Sequence, residues 1–312
     1  MAEAYYNAEI KQRFIDNIEV EKYPPRWWER LFEKSAVIEN AKDLDLFDFS
    51  VSDLLDFYKY LSLGNIASLI VYNTNLVKYG EWALSQNLIA DNQIHFSEIK
   101  VELLSTCLNK VRLDNSILTL EGLKGAKFYN RQDAFIIWCL FEGIKGKNYD
   151  EILNIRLSDI NKDSNEVTLC SGRTIKVSPD FIYVAIEADA EDEYMGLTGG
   201  NRVTKLVPSE FVFKPKSNSR NIDMPRAVYS TIERVTKVTD GLNPEHSAKA
   251  IRDSGFIHYL NKRANDLNTT VRLMMYAELL NHTGSCNDII AKYQFNMSTL
   301  KRWLMTYEDY LK

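Results

Sequence analysis

The 312 residues leave room for two domains of ordinary size, and a hydrophobic content of 45% is enough for well-packed cores. The N-terminal stretch is polar, which argues against a secretory signal. No apolar run is longer than about eight residues, too short for a membrane span. The four cysteines are scattered, which argues against a zinc site and a disulfide framework. We therefore expect a cytoplasmic protein that has no membrane contact and needs neither a metal nor a cofactor.

The net charge of −5 is distributed unevenly along the chain. Residues 201–312 contain 17 Lys and Arg against 11 Asp and Glu, whereas residues 1–200 carry a net charge of −11. A basic region in an acidic protein indicates a surface that faces a polyanion such as nucleic acid. An uneven but purely solvated surface would give the same count.

The first 108 residues predict a bundle of helices. Two prolines ahead of two tryptophans, at residues 24–28, indicate a turn that leads a helix into the core. Residues 50–53 have the form of a capping box that starts another helix, which ends at residues 62–65. A longer helix is predicted over residues 66–87. It presents hydrogen-bonding side chains on one face: Ser68, Asn73, Asn75 and Lys78.

Residues 109–312 predict a second domain of mixed structure, after a boundary marked by turn signals within residues 91–130. A strongly apolar helix over residues 132–142 is expected at its centre. Two alternating stretches, 166–169 and 174–177, flank a Gly-containing turn and predict a β-hairpin. The fold class is therefore mainly α with a small antiparallel β-sheet, in two domains. Further helices are predicted over residues 151–155, 180–190, 225–238, 244–264, 271–281 and 298–311.

This order of elements, with several local motifs, resembles the tyrosine recombinase (phage integrase) family. Residues 143–160 are similar to the segment that presents the family's first catalytic arginine. Residues 250–257 resemble the helix of the second arginine, and residues 279–293 resemble the region of the last histidine and the tyrosine nucleophile. The resemblance implies a helical core-binding domain over residues 1–108 and a catalytic-like domain over residues 109–312. In the family, these two domains clamp DNA.

Two positions of the family's active site differ in this chain. Cleavage by a tyrosine needs two arginines that hold the phosphate oxygens, where charge accumulates in the transition state. The place of the first arginine falls on Asn148 when counted back from Glu151, and on Lys145 when counted forward from Gly143. The family's histidine before the second arginine is Lys249 here. Because losing one charge clamp on a phosphoryl group can cost roughly 10³–10⁵ in rate, we expect that strand cleavage has been lost.

Other positions of that active site remain. Arg252 stands at the second arginine, and Arg173 and Lys176 lie in the predicted hairpin, where the family places a lysine acid. His282 keeps its Leu-Asn-His context, and Tyr293 follows 11 residues later, slightly further than is usual. The segment around Tyr293 suits a buried ring equally well. We therefore interpret Arg252, His282 and Tyr293 as remnants of a degenerate site, and we assign no catalytic residue.

The remaining basic residues are suited to phosphate contacts, which supply most of the affinity of DNA-binding proteins. A loop rich in hydrogen-bond donors, residues 213–220, carries several of them. A structural role is the alternative for each, such as an ion pair of Lys249 or Arg252 with Asp253 or Glu245. The candidate DNA contacts are Arg173, Lys176, Lys214, Lys216, Arg220, Lys249, Arg252, Ser68, Asn75 and Lys78.

Three functions from different classes fit these observations. The first is a sequence-specific repressor that binds double-stranded DNA in the nucleoid of a bacterial host, similar to the recombinase-fold repressors that maintain lysogeny in SPβ-type prophages. The second is an active integrase with a divergent active site that uses Tyr293. The third is an inactive accessory partner that binds no DNA by itself. The two missing active-site residues favour the first over the second, and the basic residues after position 200 favour it over the third.

The last predicted helix bears on self-association. Its apolar residues follow helical spacing and form one face. In tyrosine recombinases the terminal helix often docks onto a neighbouring protomer, and docking onto its own chain is the alternative. The sequence leaves both open. The apolar face consists of Leu300, Trp303, Leu304, Tyr307 and Leu311.

Overall fold

The computed structural model describes residues 5–17, 24–90, 99–196, 202–216, 224–275, 291–295 and 297–312. The chain divides into two compact units. The first comprises Met1–Leu113 together with Arg302–Thr306, and the second comprises Asp114–Lys301 together with Tyr307–Lys312. Each unit has a hydrophobic core of its own. In the ranges described, no helix is long and apolar enough to cross a membrane.

The first unit is built from helices around an aromatic core. Phe14 lies edge-on against Trp28 and Tyr79, at ring-centre distances of 4.6 and 4.9 Å. Such edge-to-face pairs stabilise a core beyond the area that they bury. The helices are α1 (Ala8–Asn17), α2 (Pro25–Lys42), α3 (Val51–Tyr60), α4 (Ile66–Ser85), α5 (Val101–Ser105) and α6 (Lys110–Ser116), which extends past the end of this unit, with a 3₁₀ turn at Leu46–Asp48.

Side-chain caps set the start of α3 and of α4. The Ser50 side chain accepts a hydrogen bond from the backbone N–H of Asp53, and the Asp53 carboxylate accepts one from the N–H of Ser50 at 3.0 Å. The predicted capping box is therefore confirmed. Asn65 caps α4 by accepting from the N–H of Ala67 at 2.8 Å.

A buried ionic cluster ties α1 to α2 and to the turn after it. Lys11 is fully buried, and its Nζ donates to Glu39 at 2.7 Å, to Asp45 at 3.2 Å and to the carbonyl of Tyr6 at 2.7 Å. These bonds use all three ammonium donors. Burial raises the pKa of Glu39, against the opposing charge of Lys11. Tyr79 donates its hydroxyl to Asp45 at 3.0 Å and connects α4 to the cluster.

The second unit surrounds one buried helix. Every residue of α8 from Gln132 to Phe141 is buried, so α8 is central, as the sequence predicted. Residues 271–275 and 291–293 are also helical. The helices are α7 (Leu120–Gly125), α8 (Arg131–Phe141), α9 (Asp150–Leu153), α10 (Pro179–Ala190), α11 (Met224–Val238) and α12 (Ala248–Asp266). The last helix of the chain, α13 (Met297–Tyr307), is divided between the units, because Arg302–Thr306 is assigned to the first, and a 3₁₀ turn at Glu308–Tyr310 follows it.

Two small antiparallel sheets complete the second unit. The first has the order β1 (Ile160–Asn161), β2 (Glu166–Thr168) and β3 (Thr174–Lys176), with Val167 opposite Ile175. It confirms the predicted hairpin and adds a strand. The second pairs β4 (Glu193–Met195) with β5 (Val203–Lys205), and the sequence did not predict it.

Helix α12 begins later than predicted and lies unusually close to α8. It starts at Ala248, because the Ser247 side chain caps it by accepting from the N–H of Ala250. The prediction that it starts near Pro244 was therefore wrong. A Cβ atom at Gly255 would lie 1.7 Å from the carbonyl oxygen of Phe141. Only glycine allows this approach of the two helices.

The end of the chain is held against α12. The hydroxyl of Tyr307 donates to Oδ2 of Asp253 at 2.8 Å. Asn261 donates to the carbonyl of Tyr310 at 3.0 Å and accepts from the N–H of Lys312 at 2.9 Å. These contacts lie within one chain, and exchange of the terminal helix between protomers stays a prediction.

Candidate phosphate-binding site

The segment expected to carry the first arginine folds into a run of left-handed turns. Gly143, Gly146, Asn148 and Tyr149 have φ angles of +85°, +68°, +53° and +64°. Glycine is favoured at position 146, because a φ of +68° with a ψ of −173° is a backbone conformation that other residues rarely adopt. Asn148 is exposed at this turn, and asparagine tolerates the left-handed conformation better than most residues.

Lys145 is the other position that could correspond to the family's first arginine. Its charge interacts with that of Arg252, which stands at the second arginine. Burial lowers the pKa of Lys145, and the charge of Arg252 lowers it further. Its backbone N–H donates to Oε2 of Glu151 at 3.1 Å, and its Nζ lies 5.6 Å from the ring centre of Tyr149. Lys145 thus contributes a positive charge that interacts with that of Arg252, without the two-pronged geometry of an arginine.

Arg173 has all of its donors engaged within the protein. Its Nε and Nη2 donate to the two oxygens of Glu151 at 2.7 and 2.6 Å. Nη2 also donates to the carbonyl of Gly143 at 3.0 Å, and Nη1 donates to the carbonyls of Ala291 and Lys292 at 3.1 and 2.7 Å. These five bonds match the five N–H donors of a guanidinium. In this structure Arg173 has no donor left for a phosphate.

Glu151 anchors this network from a fully buried position. Besides Arg173, its Oε1 accepts from Ser171 at 2.7 Å and from Gln294 at 3.3 Å, and its Oε2 accepts from the N–H of Lys145. Burial raises the pKa of Glu151, but the hydrogen bonds from Arg173 and Ser171 and the charge of Arg173 outweigh it. The net pKa lies below the ordinary value of 4.5, so the carboxylate stays ionised at neutral pH.

Arg252 differs from Arg173 because part of its guanidinium has no acceptor. Its Nε is buried and has no hydrogen-bond partner among the residues that the structure describes. The guanidinium carbon lies 5.3 Å from the ring centre of Phe295. Burial lowers the pKa of Arg252, against the opposing charge of Asp253. A buried donor without an acceptor costs about 1–3 kcal/mol, which an oxygen of a bound anion would relieve.

Tyr293 is part of the core. Its side chain is 1% exposed, and its hydroxyl donates to the carbonyl of Phe141 at 2.8 Å. The ring lies 4.8 Å from that of Phe256. Burial raises the pKa of Tyr293 well above its ordinary value, and the charge of Glu142 acts in the same direction. The phenol is therefore neutral and engaged in this structure.

The two lysines expected near this centre lie closer to solvent. Lys176 is exposed, and its carbonyl accepts from Nζ of Lys292 at 2.8 Å. Lys249 forms an ion pair with Asp253 at 2.5 Å, with 58% of its own side chain exposed. This is the ion pair that the sequence left open as an alternative. His246 is buried, and burial lowers its pKa.

The basic loop of the second unit folds back onto the protein at two of its lysines. Lys214 donates through Nζ to the carbonyls of Asp189 and Glu191. Lys216 places Nζ 3.5 Å from the ring centre of Tyr194. Both lysines are half-buried rather than freely solvated. Arg220 and His282 lie outside the described residues.

The candidate contacts of the first unit lie on α4. Ser68 and Lys78 are half-buried. Asn75 is 2% exposed, and its Oδ1 is buried without a hydrogen-bond partner in the part of the chain described. Asn75 is therefore covered in this structure, and Ser68 and Lys78 are the more accessible of the three.

The sequence did not predict the roles of two buried acidic residues of the second unit, Glu151 and Asp133. The bonds of Glu151 with Arg173 were not predicted, because the two residues lie 22 positions apart and their segments show no shared local pattern. Asp133 pairs with Arg234 at 3.0 Å, but the two are far apart in sequence and leave no local pattern. Among the described residues, no group of three or more His, Cys, Asp and Glu side chains is arranged to hold a metal ion.

Comparison with known protein families assigns the chain to one of them. A family model described as "MrpR, C-terminal catalytic domain" matches residues 121–304, more than half of the chain. The chain belongs to the MrpR family. A second model, "MrpR, N-terminal core-binding domain", matches residues 5–85. The chain is also 24% identical over 249 residues to the SPbeta prophage-derived protein YopR of Bacillus subtilis (strain 168), covering 75% of each.

Membership of the MrpR family confirms the recombinase-like architecture predicted from the order of motifs. The core-binding match lies in the first unit. The match to the catalytic domain contains Glu151, Arg173, Arg252 and Tyr293. In this MrpR-family chain, the domain that corresponds to the catalytic one thus keeps one arginine with an unpartnered donor and has a buried tyrosine.

Proposed function

We propose that this protein is a sequence-specific DNA-binding repressor of a phage or prophage, which maintains lysogeny with a recombinase fold that no longer cuts DNA. One observation carries the proposal: the buried Nε of Arg252 has no hydrogen-bond partner among the described residues, while the Tyr293 hydroxyl is bonded to the carbonyl of Phe141. Such a centre is suited to holding a phosphate without attacking it.

Several features speak against strand cleavage. A tyrosine nucleophile must lose its proton, and burial makes this harder for Tyr293 by raising its pKa. Arg173 cannot replace the missing first arginine while its five donors bind Glu151 and three carbonyls. Lys249, at the family's histidine position, is paired with Asp253. Attack would need Tyr293 to leave the core and the Arg173 network to open.

The regulatory part of the proposal rests on relatives and on charge. YopR is named as derived from the SPbeta prophage. The core-binding match and the basic excess after residue 200 support binding to DNA. A protein that binds DNA through phosphate contacts and does not cut it is suited to blocking transcription.

Binding to DNA is tested with the full chain and mapped fragments of phage and host DNA. Arg252→Ala should weaken retention of specific fragments, most strongly at low salt, because it removes a phosphate contact. Lys249→Ala should act in the same direction. Arg156→Ala is the matched control, since Arg156 is an exposed arginine of the same unit that pairs with Glu210 at 2.9 Å. Equal binding by all three variants and the wild type would remove Arg252 and Lys249 from the interface.

Loss of cleavage is tested with nicked suicide DNA substrates, which trap a covalent protein–DNA species when the nucleophile attacks. We expect no such species. A covalent product that disappears in Tyr293→Phe would establish the integrase alternative instead.

A further inference from the structure

Tyr194 on β4 lies between two cations, in a part of the second unit separate from the Glu151 network. Nζ of Lys216 lies 3.5 Å from the centre of its ring, and the guanidinium carbon of Arg234 lies 5.5 Å from the same centre. The ring is 4% exposed, so the two cations meet it in a largely desolvated environment. Cation–π contacts of this kind are favourable when desolvated, but they do not neutralise charge.

One buried carboxylate serves both cations. Asp133 is 2% exposed and accepts from Nη2 of Arg234 at 3.0 and 3.2 Å, from the hydroxyl of Tyr194 at 2.8 Å and from Asn130 at 3.1 Å. Among the described residues, Lys216 has no ion pair, and Arg234 pairs with Asp133 alone. These three side chains carry two positive charges and one negative charge. The carboxylate of Glu191, whose charge also acts on Tyr194, accepts from the backbone N–H groups of Arg131 and Gln132 rather than from either cation.

Both cations also keep donors without acceptors. Nη1 of Arg234 is buried and has no hydrogen-bond partner in the described part of the chain. Lys216 contacts the Tyr194 ring and is half-buried, and no hydrogen bond of its Nζ to another described residue is found. Burial lowers the pKa of Lys216, and the charge of Arg234 lowers it further. An anion here would supply acceptors and compensate positive charge at once.

Lys214, two residues before Lys216, differs from it by bonding to carbonyl groups of the protein. Nζ of Lys214 donates to the carbonyls of Asp189 and Glu191, and its backbone N–H donates to Oε1 of Gln132 at 2.7 Å. Lys214 therefore uses two of its three ammonium donors within the fold. Lys216 makes no such bond with another described residue.

We propose that Lys216 and Arg234 form a second phosphate-binding site, at the face of Tyr194. A guanidinium with a free Nη1 and an adjacent ammonium are the groups that proteins use for phosphate. The first candidate ligand is a backbone phosphate of bound DNA, and in this respect the inference rests on the proposed function. Free inorganic phosphate has the same chemistry and is the second candidate.

The DNA arm compares Lys216→Gln with Lys127→Gln. Lys216→Gln leaves the Arg234–Asp133 pair in place, so the fold is retained. Lys127 is an exposed lysine of the same unit, 3.9 Å from Asp240, with 81% of its side chain exposed. We expect Lys216→Gln to reduce the slope of log affinity against log salt by about one and Lys127→Gln to leave it unchanged.

The free-phosphate arm measures the melting temperature of each protein in inorganic phosphate and in chloride at equal ionic strength. Phosphate should raise the melting temperature of the wild type and of Lys127→Gln more than that of Lys216→Gln, because a ligand of the native state stabilises it. An effect in this arm alone assigns the site to free phosphate, and an effect in the DNA arm alone assigns it to the DNA backbone.

The two proposals fail in different ways. If the wild type binds DNA but Lys216→Gln changes neither the salt slope nor the phosphate response, the Lys216–Arg234 site is refuted and the DNA-binding function stands. If the wild type binds no DNA, the proposed function is refuted, and the phosphate arm alone decides the site.

Discussion

Glu151 holds the charged centre of the second unit together through both of its oxygens. Replacing it by glutamine keeps the shape but turns one acceptor into a donor, which then faces a donor of Arg173. Removing one partner of a buried ion pair typically costs about 3–5 kcal/mol, and we expect Glu151→Gln to lower the free energy of unfolding by that amount in urea titrations. Glu210→Gln is the control, because its pair with Arg156 is 64% and 45% exposed and should contribute less than about 1 kcal/mol.

The same pair predicts a dependence on pH. The pKa of Glu151 in the folded state lies below its ordinary value of 4.5. A carboxyl of this kind contributes its full stability above pH 4.5 and loses it as the pH falls through the folded-state pKa. The gap in unfolding free energy between the wild type and Glu151→Gln should therefore be constant from pH 7 to about 5 and narrow below that. A gap that stays the same down to pH 3 would contradict this assignment.

At the scale of elements, the contact between α8 and α12 depends on Gly255. An alanine there would place its Cβ 1.7 Å from the carbonyl oxygen of Phe141, which also accepts the hydroxyl of Tyr293. The helices would have to separate, and overpacking of this kind costs about 1–3 kcal/mol or more. Urea unfolding of Gly255→Ala should show this loss. Gly125→Ala, where a Cβ meets nothing within 4 Å, should stay within about 1 kcal/mol of the wild type.

Elements with strong local signals were predictable from the sequence, and those that depend on distant partners were not. The capping box at Ser50 and the apolar run of α8 each determine their element by themselves. The hairpin of β4 and β5 depends on contacts with residues far away in sequence. An example is the hydrogen bond from the Tyr194 hydroxyl to Asp133. The start of α12 was misplaced because Pro244 resembles a helix start as much as Ser247 does.

The candidate site was predictable in its losses and less so in its contacts. That Asn148 or Lys145 stands where the recombinase family has its first arginine could be inferred from the resemblance. That Arg173 binds Glu151 and three carbonyls could not, because these partners come from three separate segments. Burial of Asn75 on the polar face of α4 was missed for the same reason, since helical periodicity indicates a face but not what covers it.

At the scale of the whole molecule, the end of the chain belongs to the packing of the second unit. Tyr307→Phe removes a donor from Asp253, which is 3% exposed. Oδ2 of Asp253 keeps its ion pair with Lys249, so the loss is that of one hydrogen bond to a charged group, about 1.5–3 kcal/mol, and the variant should unfold at lower urea. Its stoichiometry on DNA, measured by analytical ultracentrifugation, should equal that of the wild type. A change in stoichiometry would favour exchange of the terminal helix between protomers. Tyr310→Phe, whose more exposed hydroxyl bonds to Asp114, is the milder control.

The left-handed turns of residues 143–149 bear on the evolutionary history of the chain. Under the proposed function, cleavage is not restored by returning one side chain, because Asn148 is exposed and has a φ of +53°. An arginine there would take on a conformation that costs roughly 1–2 kcal/mol before it met any phosphate. Recovery would need the backbone at this position to change its conformation as well. A lineage that has accepted this loop is therefore free to mutate the other catalytic positions, and reversion becomes more remote with each change.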